Sequence, residues 1–183
     1  MASYRSLLAG IVLPALLGAC ADQPGRDPNS PYYAYPAGLT VGLERALVIP
    51  PGEATVRLQY GHPVARNGVQ EYDPYCILEL GTVAAAAQTV PPASFRITRS
   101  QRRVEAFSGM PVMPGPSFGG DDGGPSQMYF ITEFRLHSDA QPDVRSLTCQ
   151  HDQGAAGVGI PRHLTLAEMR QALGGYFVFD LPH

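Results

Sequence analysis

The chain has 183 residues, 44% of them apolar, with 13 basic and 16 acidic side chains and a formal net charge of −3. That is enough apolar material for one core, so a single domain is expected. Charges of both signs are interspersed, which argues against nucleic acid or an anionic lipid surface as partner. Every basic residue is Arg, as a GC-rich coding sequence produces without any functional demand.

Arg5 leads an apolar run from Leu7 to Leu17, interrupted by Pro14, that closes on small residues before Cys20. The run is too short to span a bilayer, which takes about 20 apolar residues. Its charged start, apolar middle and small-residue end have the layout of a secretory signal peptide. Leu17-Gly18-Ala19-Cys20 resembles the lipobox of bacterial lipoproteins, where small residues fill the peptidase site and the cysteine thiol accepts diacylglycerol. The resemblance implies that residues 1–19 are removed and that Cys20 becomes an acylated amino terminus, palmitate-bearing and held by the membrane. Ala21 follows the cysteine where an Asp would retain a Gram-negative lipoprotein in the inner membrane, so the implied address is the periplasmic face of the outer membrane. Two or more acyl chains anchor firmly, at about 0.8 kcal/mol per buried methylene. The resemblance covers residues 1–20; the rest is similar to small proteobacterial lipoproteins only in general style.

Residues 20–37 read as the lipidated Cys and a tether, with Pro24, Pro28, Pro31 and Pro36 favouring an extended chain. Tyr32, Tyr33 and Tyr35 offer either a stacking platform for peptidoglycan or rings that pack on the domain edge, and packing is the expectation.

Residues 38–183 read as one β-rich periplasmic domain. Leu39 to Ile49 and Ala54 to Tyr60 form a predicted hairpin about Pro50-Pro51-Gly52, with Val56, Leu58 and Tyr60 inward and Thr55, Arg57 and Gln59 outward. Gly61 to Asp73 is a loop or second turn. Tyr75 to Leu80 is a strand with Cys76, Leu78 and Leu80 on one face. Ala84 to Ala87 suggests a helical turn ended by Pro91 and Pro92, before a strand from Phe95 to Arg99 that continues irregularly from Arg103 to Phe107. Residues 108–127, rich in Gly and Pro, form a long mobile loop, either functional or disordered. Met128 to His137 carries the longest alternation, and Ser138 to Pro142 turns it into the strand from Val144 to His151, with Leu147 and Cys149 on one face. Thr165 and Glu168 stand in capping-box register, Leu164 and Met169 form a staple, and Gly174 follows the last turn. Leu166, Met169 and Leu173 form the buried face of that helix, and Tyr176 to Phe179 adds an edge strand. The fold class expected is mainly β, an antiparallel β-sandwich or partly open barrel with one short C-terminal α-helix.

With Cys20 lipidated, Cys76 and Cys149 remain as an even pair in an oxidising compartment, and a disulfide bond is the economical reading. Other constellations are weak. Gly115-Pro116-Ser117-Phe118-Gly119 spells a nucleophile elbow but lacks the strand before and helix after that would expose Ser117. Asp121 and Asp122 supply too few oxygens for calcium. Cys149 and His151, with Cys76, His137 or His163, could compose a zinc site only if the sulfurs were free. His62 and His183 read as solvated. Arg96, Arg99, Arg102 and Arg103 form a candidate anion-binding stripe for a peptidoglycan carboxylate or lipopolysaccharide phosphate, set against the plainer expectation that Arg96, Arg102 and Arg103 join Arg57, Glu105, Glu133 and Arg135 in cross-strand pairs. No catalytic set, cofactor or metal is assigned. The expected function is a lipid-anchored domain with a structural role or one binding an envelope protein or peptidoglycan. The alternatives are an envelope hydrolase or metal-dependent site using the 108–127 loop, and a small-ligand carrier with a cavity between sheets.

Overall fold

The computed structural model of the protein describes residues 27–107, 127–152 and 162–181. Its elements are, in order, β1 (Thr40–Leu43), β2 (Leu47–Ile49), β3 (Thr55–Gln59), β4 (His62–Val64), a 3-10 turn (Arg66–Gly68), β5 (Tyr75–Leu80), β6 (Gln88–Val90), β7 (Ala93–Phe107), β8 (Gln127–His137), β9 (Val144–Asp152), α1 (Leu166–Leu173) and β10 (Phe177–Asp180). Eight strands form one antiparallel sheet in the order β10-β1-β7-β8-β9-β5-β3-β4, and β2 pairs with β6 in a separate small sheet. The large sheet curls into half a barrel. Among the described residues the protein is therefore mainly β with one short C-terminal helix, as the alternation implied.

Register explains the core. Leu58, Cys76, Cys149 and Thr132 lie side by side across β3, β5, β9 and β8, and Val56, Leu78, Leu147 and Phe134 form the next row. Because side chains alternate with period two, both rows point to one face. That face is covered by Leu166, Met169 and Leu173 of α1 and joined by Phe177 and Phe179 of β10 and Phe95 of β7, all buried. Cys76 and Cys149 sit directly opposite one another and are joined by a disulfide, 73 residues apart in sequence.

The helix is held at its start by the expected box. Thr165 Oγ1 accepts the Glu168 N–H at 3.3 Å, and the Glu168 carboxylate accepts the Thr165 N–H at 2.8 Å. Arg162 then grips the same carboxylate with two donors at 2.7 and 2.6 Å. These contacts satisfy amides that a helix start leaves orphaned. They also hold the Glu168 carboxyl down to about 2, the Arg162 hydrogen bond being the main cause.

Several expectations need correction. The hairpin joining residues 39–49 to 54–60 does not form: the first run breaks at Glu44 to Ala46, β1 pairs with β7 and β10, and β2 pairs with β6. At the break the Glu44 N–H bonds the Tyr176 carbonyl at 2.8 Å and Arg45 lies 4.3 Å over the Tyr176 ring. β3 instead turns into β4 through Tyr60 and Gly61, with φ of +53° and +80°. Positive φ at both positions belongs to the type I′ turn, whose hand matches strand twist. It swings Tyr60 out of the inward row, so its ring is exposed and its hydroxyl bonds Asp73. Ala84 to Ala87 forms no helical turn. β7 is one continuous strand with a register shift between Ile97 and Arg99, where the sequence looked broken.

The stretch assigned to the tether also belongs in part to the folded body. Tyr33 and Tyr35 are buried in the core. The Tyr35 ring packs edge-on against Phe134 at 4.9 Å, its hydroxyl donates to Met169 Sδ at 3.7 Å, and burial pushes its phenol up to about 12. Packing, the expected alternative to a stacking platform, is what these two rings do. The 108–127 loop, Ser117, Asp121, Asp122 and Cys20 lie outside the described residues, except for Gln127 at the start of β8.

Candidate binding groove

The four arginines of the candidate stripe do not form one surface. Arg102 and Arg103 are neighbours on β7 and so face opposite sides of the sheet. Arg102 shares the row of Thr132 and Cys149, with its guanidinium 5.6 Å over the buried Tyr35 ring. Arg103 is on the other face, donating to Glu105 at 2.6 Å and Glu133 at 2.5 Å, while Glu133 also receives Arg135 at 2.6 Å. Arg96 and Arg99 are exposed near the opposite end of β7. Cross-strand pairing, the plainer expectation, describes Arg103. The sulfurs of the imagined zinc site are consumed by the disulfide, and among the described residues no group of three His, Cys, Asp or Glu gathers to hold a metal ion.

What the fold brings together lies on the sheet face opposite the disulfide. One row runs Gln59, Tyr75, Gln150, Ile131, Arg103 across β3, β5, β9, β8 and β7; the next runs Arg57, Ile77, Thr148, Glu133, Gln101. The segment between β4 and β5 folds back over this face. Gln59 pins it there: the side-chain amide donates to the Gln70 carbonyl at 2.8 Å and accepts the Gln70 N–H at 2.9 Å. Gln59 therefore points away from the core yet is fully buried, since a polar side chain can be buried when both ends are bonded. A second tie joins the Asp152 N–H to the Glu71 carbonyl at 2.7 Å.

Between this returning segment and β7 a groove of ≈ 390 Å³ is left. Val69, Ile77 and Ile131 supply its apolar surface, and Arg57, Arg66, Arg103, Glu71 and Glu105 its charge. Ile131 is only 3% exposed. The size falls within the range of small-molecule sites, roughly 300 to 1,000 Å³. Tyr129 donates to Glu71 at 2.6 Å, and the Gln150 amide donates to the Tyr75 hydroxyl. Burial raises the Tyr75 phenol, and burial together with the Glu71 carboxylate raises that of Tyr129. Both rings stay protonated at neutral pH, as hydrogen-bonding groups rather than bases.

The described histidines lie elsewhere. His151 and His163 are pushed down by burial and are neutral at neutral pH, and His163 rests edge-on against Phe130 at 5.5 Å. The groove was missed in the sequence, although one signal was present. Tyr75, Ile77, Tyr129 and Ile131 are large apolar or aromatic residues on the side of their strands away from the core, where an uncovered sheet would be polar. The chain matches no protein-family model, and no curated protein or solved structure is significantly similar to it.

Proposed function

We propose that this protein is a lipoprotein anchored through Cys20 to the periplasmic face of the outer membrane. Its folded body is a binding domain rather than an enzyme, and the groove on the outer sheet face is where it meets an envelope partner. The groove carries the reading: a mixed charged and apolar concavity, built by a pinned loop, with protonated tyrosines and, among the described residues, no histidine or serine in its lining. Two further observations support it. The lipobox-like Leu17-Gly18-Ala19-Cys20 supplies the anchor, and the Cys76–Cys149 disulfide suits an oxidising compartment. No helix among the described residues is long and apolar enough to cross a membrane. Phe95, Phe134, Phe177 and Leu147 are fully buried in the core, which supports the groove over a space between layers as the binding surface.

The anchor is tested by fractionation of cells making the parent or Cys20→Ser. The parent is expected with the outer membrane and the variant in the soluble periplasm; a variant that still pellets with membranes refutes the anchor. The binding surface is tested with a photo-reactive residue at position 69. It is expected to capture a discrete envelope component from intact cells, and Ile77→Arg, at a half-buried lining position, is expected to fill the groove and abolish capture.

A further inference from the structure

The groove's charges are not equally engaged, and the imbalance defines what it can hold. Arg103 is neutralised by Glu105 and Glu133. Glu71 already accepts the Tyr129 hydroxyl. At the β3–β4 side the situation differs. The Arg57 side chain is only 15% exposed, yet its sole ion pair among the described residues is a long one, 3.9 Å to Glu53, supplemented by Thr55 Oγ1 at 3.3 Å. Arg66, on the 3-10 turn, makes no ion pair among the described residues. Two guanidinium groups thus line one part of the groove with donors to spare, one of them largely withdrawn from water, where a charge-assisted hydrogen bond gains most.

Resting on the binding reading above, we propose that the groove takes a small acid with a single anionic group and an apolar stem. The carboxylate or phosphate lies between Arg57 and Arg66, and the stem lies over Val69, Ile77 and Ile131. The lining carries three arginines and two glutamates, a local excess of one positive charge in a chain of net charge −3. That excess favours one anion and disfavours a polyanion, because Glu71 and Glu105 repel further negative charge. A cationic ligand would find Glu105 engaged by Arg103, and at Glu71, which accepts the Tyr129 hydroxyl, a single carboxylate set against the repulsion of Arg57 and Arg66. The same chemistry is offered by a free acid and by the headgroup of an anionic lipid, and the two sources are separable by experiment.

The test is an amide-shift titration of the purified protein by NMR, with N-acetyl-leucine, its neutral analogue N-acetyl-leucinamide, and vesicles of phosphatidylcholine with or without phosphatidylglycerol. N-acetyl-leucine is expected to shift the amides of Val69, Ile77 and Gln150 saturably, with the amide analogue and Arg66→Gln each weakening binding about tenfold. Arg57→Gln should act likewise, and Arg66→Gln carries the test if that variant does not fold, since its turn buries no residue. Arg96→Gln, outside the groove, should bind as the parent does. Groove shifts with phosphatidylglycerol vesicles alone would support the inference with a lipid as the source. Equal binding of acid and amide, undiminished binding by Arg66→Gln, or no groove shift with any probe would overturn it. If capture from position 69 still succeeds in that case, only the ligand class falls; if capture fails too, the binding reading falls with it.

Discussion

The two faces of strands β3, β5, β9, β8 and β7 differ in what they do, although they share the same backbone. On one face the row through Cys76 and Cys149 is packed under α1 and β10 and crossed by the disulfide. On the other, residues one position away line an open groove whose charges are only partly paired. Alternation separates the two functions at single-residue resolution: Cys76 holds the fold and Ile77 shapes the site. Substitutions on the first face should cost stability, and those at exposed groove positions such as Arg66 should cost binding with little effect on stability.

The sharpest way to break that comparison is to remove the disulfide. Cys76→Ala with Cys149→Ala is expected to lower the unfolding free energy by about 4 kcal/mol on the loop-entropy model, read from denaturant curves. A loss no larger than that of a groove variant would mean the faces do not divide the labour this way. Next comes the junction that lets α1 cover the core. A Cβ at Gly174 would lie 2.4 Å from Gly61 Cα, at a φ of +57°. Gly174→Ala should therefore cost about 2 to 3 kcal/mol. Gly175→Ala, whose Cβ would meet nothing within 4 Å, should stay within about 0.5 kcal/mol.

A smaller effect is expected at the helix start. Glu168 titrates at about 2 when folded, against an ordinary 4.5, so the folded chain holds that proton less tightly than the unfolded chain. Its contribution is complete above pH 4.5 and is lost as the pH falls toward 2. Glu168→Gln should cost about 1 to 2 kcal/mol at neutral pH, discounted for solvent screening, and flatten stability across that acid window in thermal melts. Least of all, Arg66→Gln should leave stability within about 0.5 kcal/mol. A large loss there would show the groove wall to be part of the structural core.

Much of the architecture was legible because it rests on local pattern. Strict alternation marked β5, β8 and β9, and the spacing of Thr165, Glu168 and Gly174 marked α1 to within a residue. The cysteine pairing was legible from the inward phase of both strands, with Cys20 set aside on the expectation that it carries the lipid. What could not be read depended on distant partners. Nothing local says that the run from Leu39 to Ile49 must split between two sheets, because β7 and β10 decide where β1 goes. Tyr60 looked inward because a two-residue turn with positive φ usually announces itself with Asn or Asp before Gly. The arginine stripe failed for a simpler reason: four arginines within eight residues of a strand cannot share a face once alternation is applied. The groove was hidden because its floor comes from five strands and its wall from a loop that folds back over them.

The Gln59 amide has a consequence for how that wall moves. Because the Gln70 N–H is donated to a side chain that is itself fully buried, releasing it requires disturbing the end of β3 as well as lifting the loop. In hydrogen exchange, Gln70 should then be protected to nearly the level of the central strands, despite lying between the 3-10 turn and β5. The groove would open only in rare, cooperative excursions and stand preformed the rest of the time. A preformed site loses little ordering entropy when it is filled.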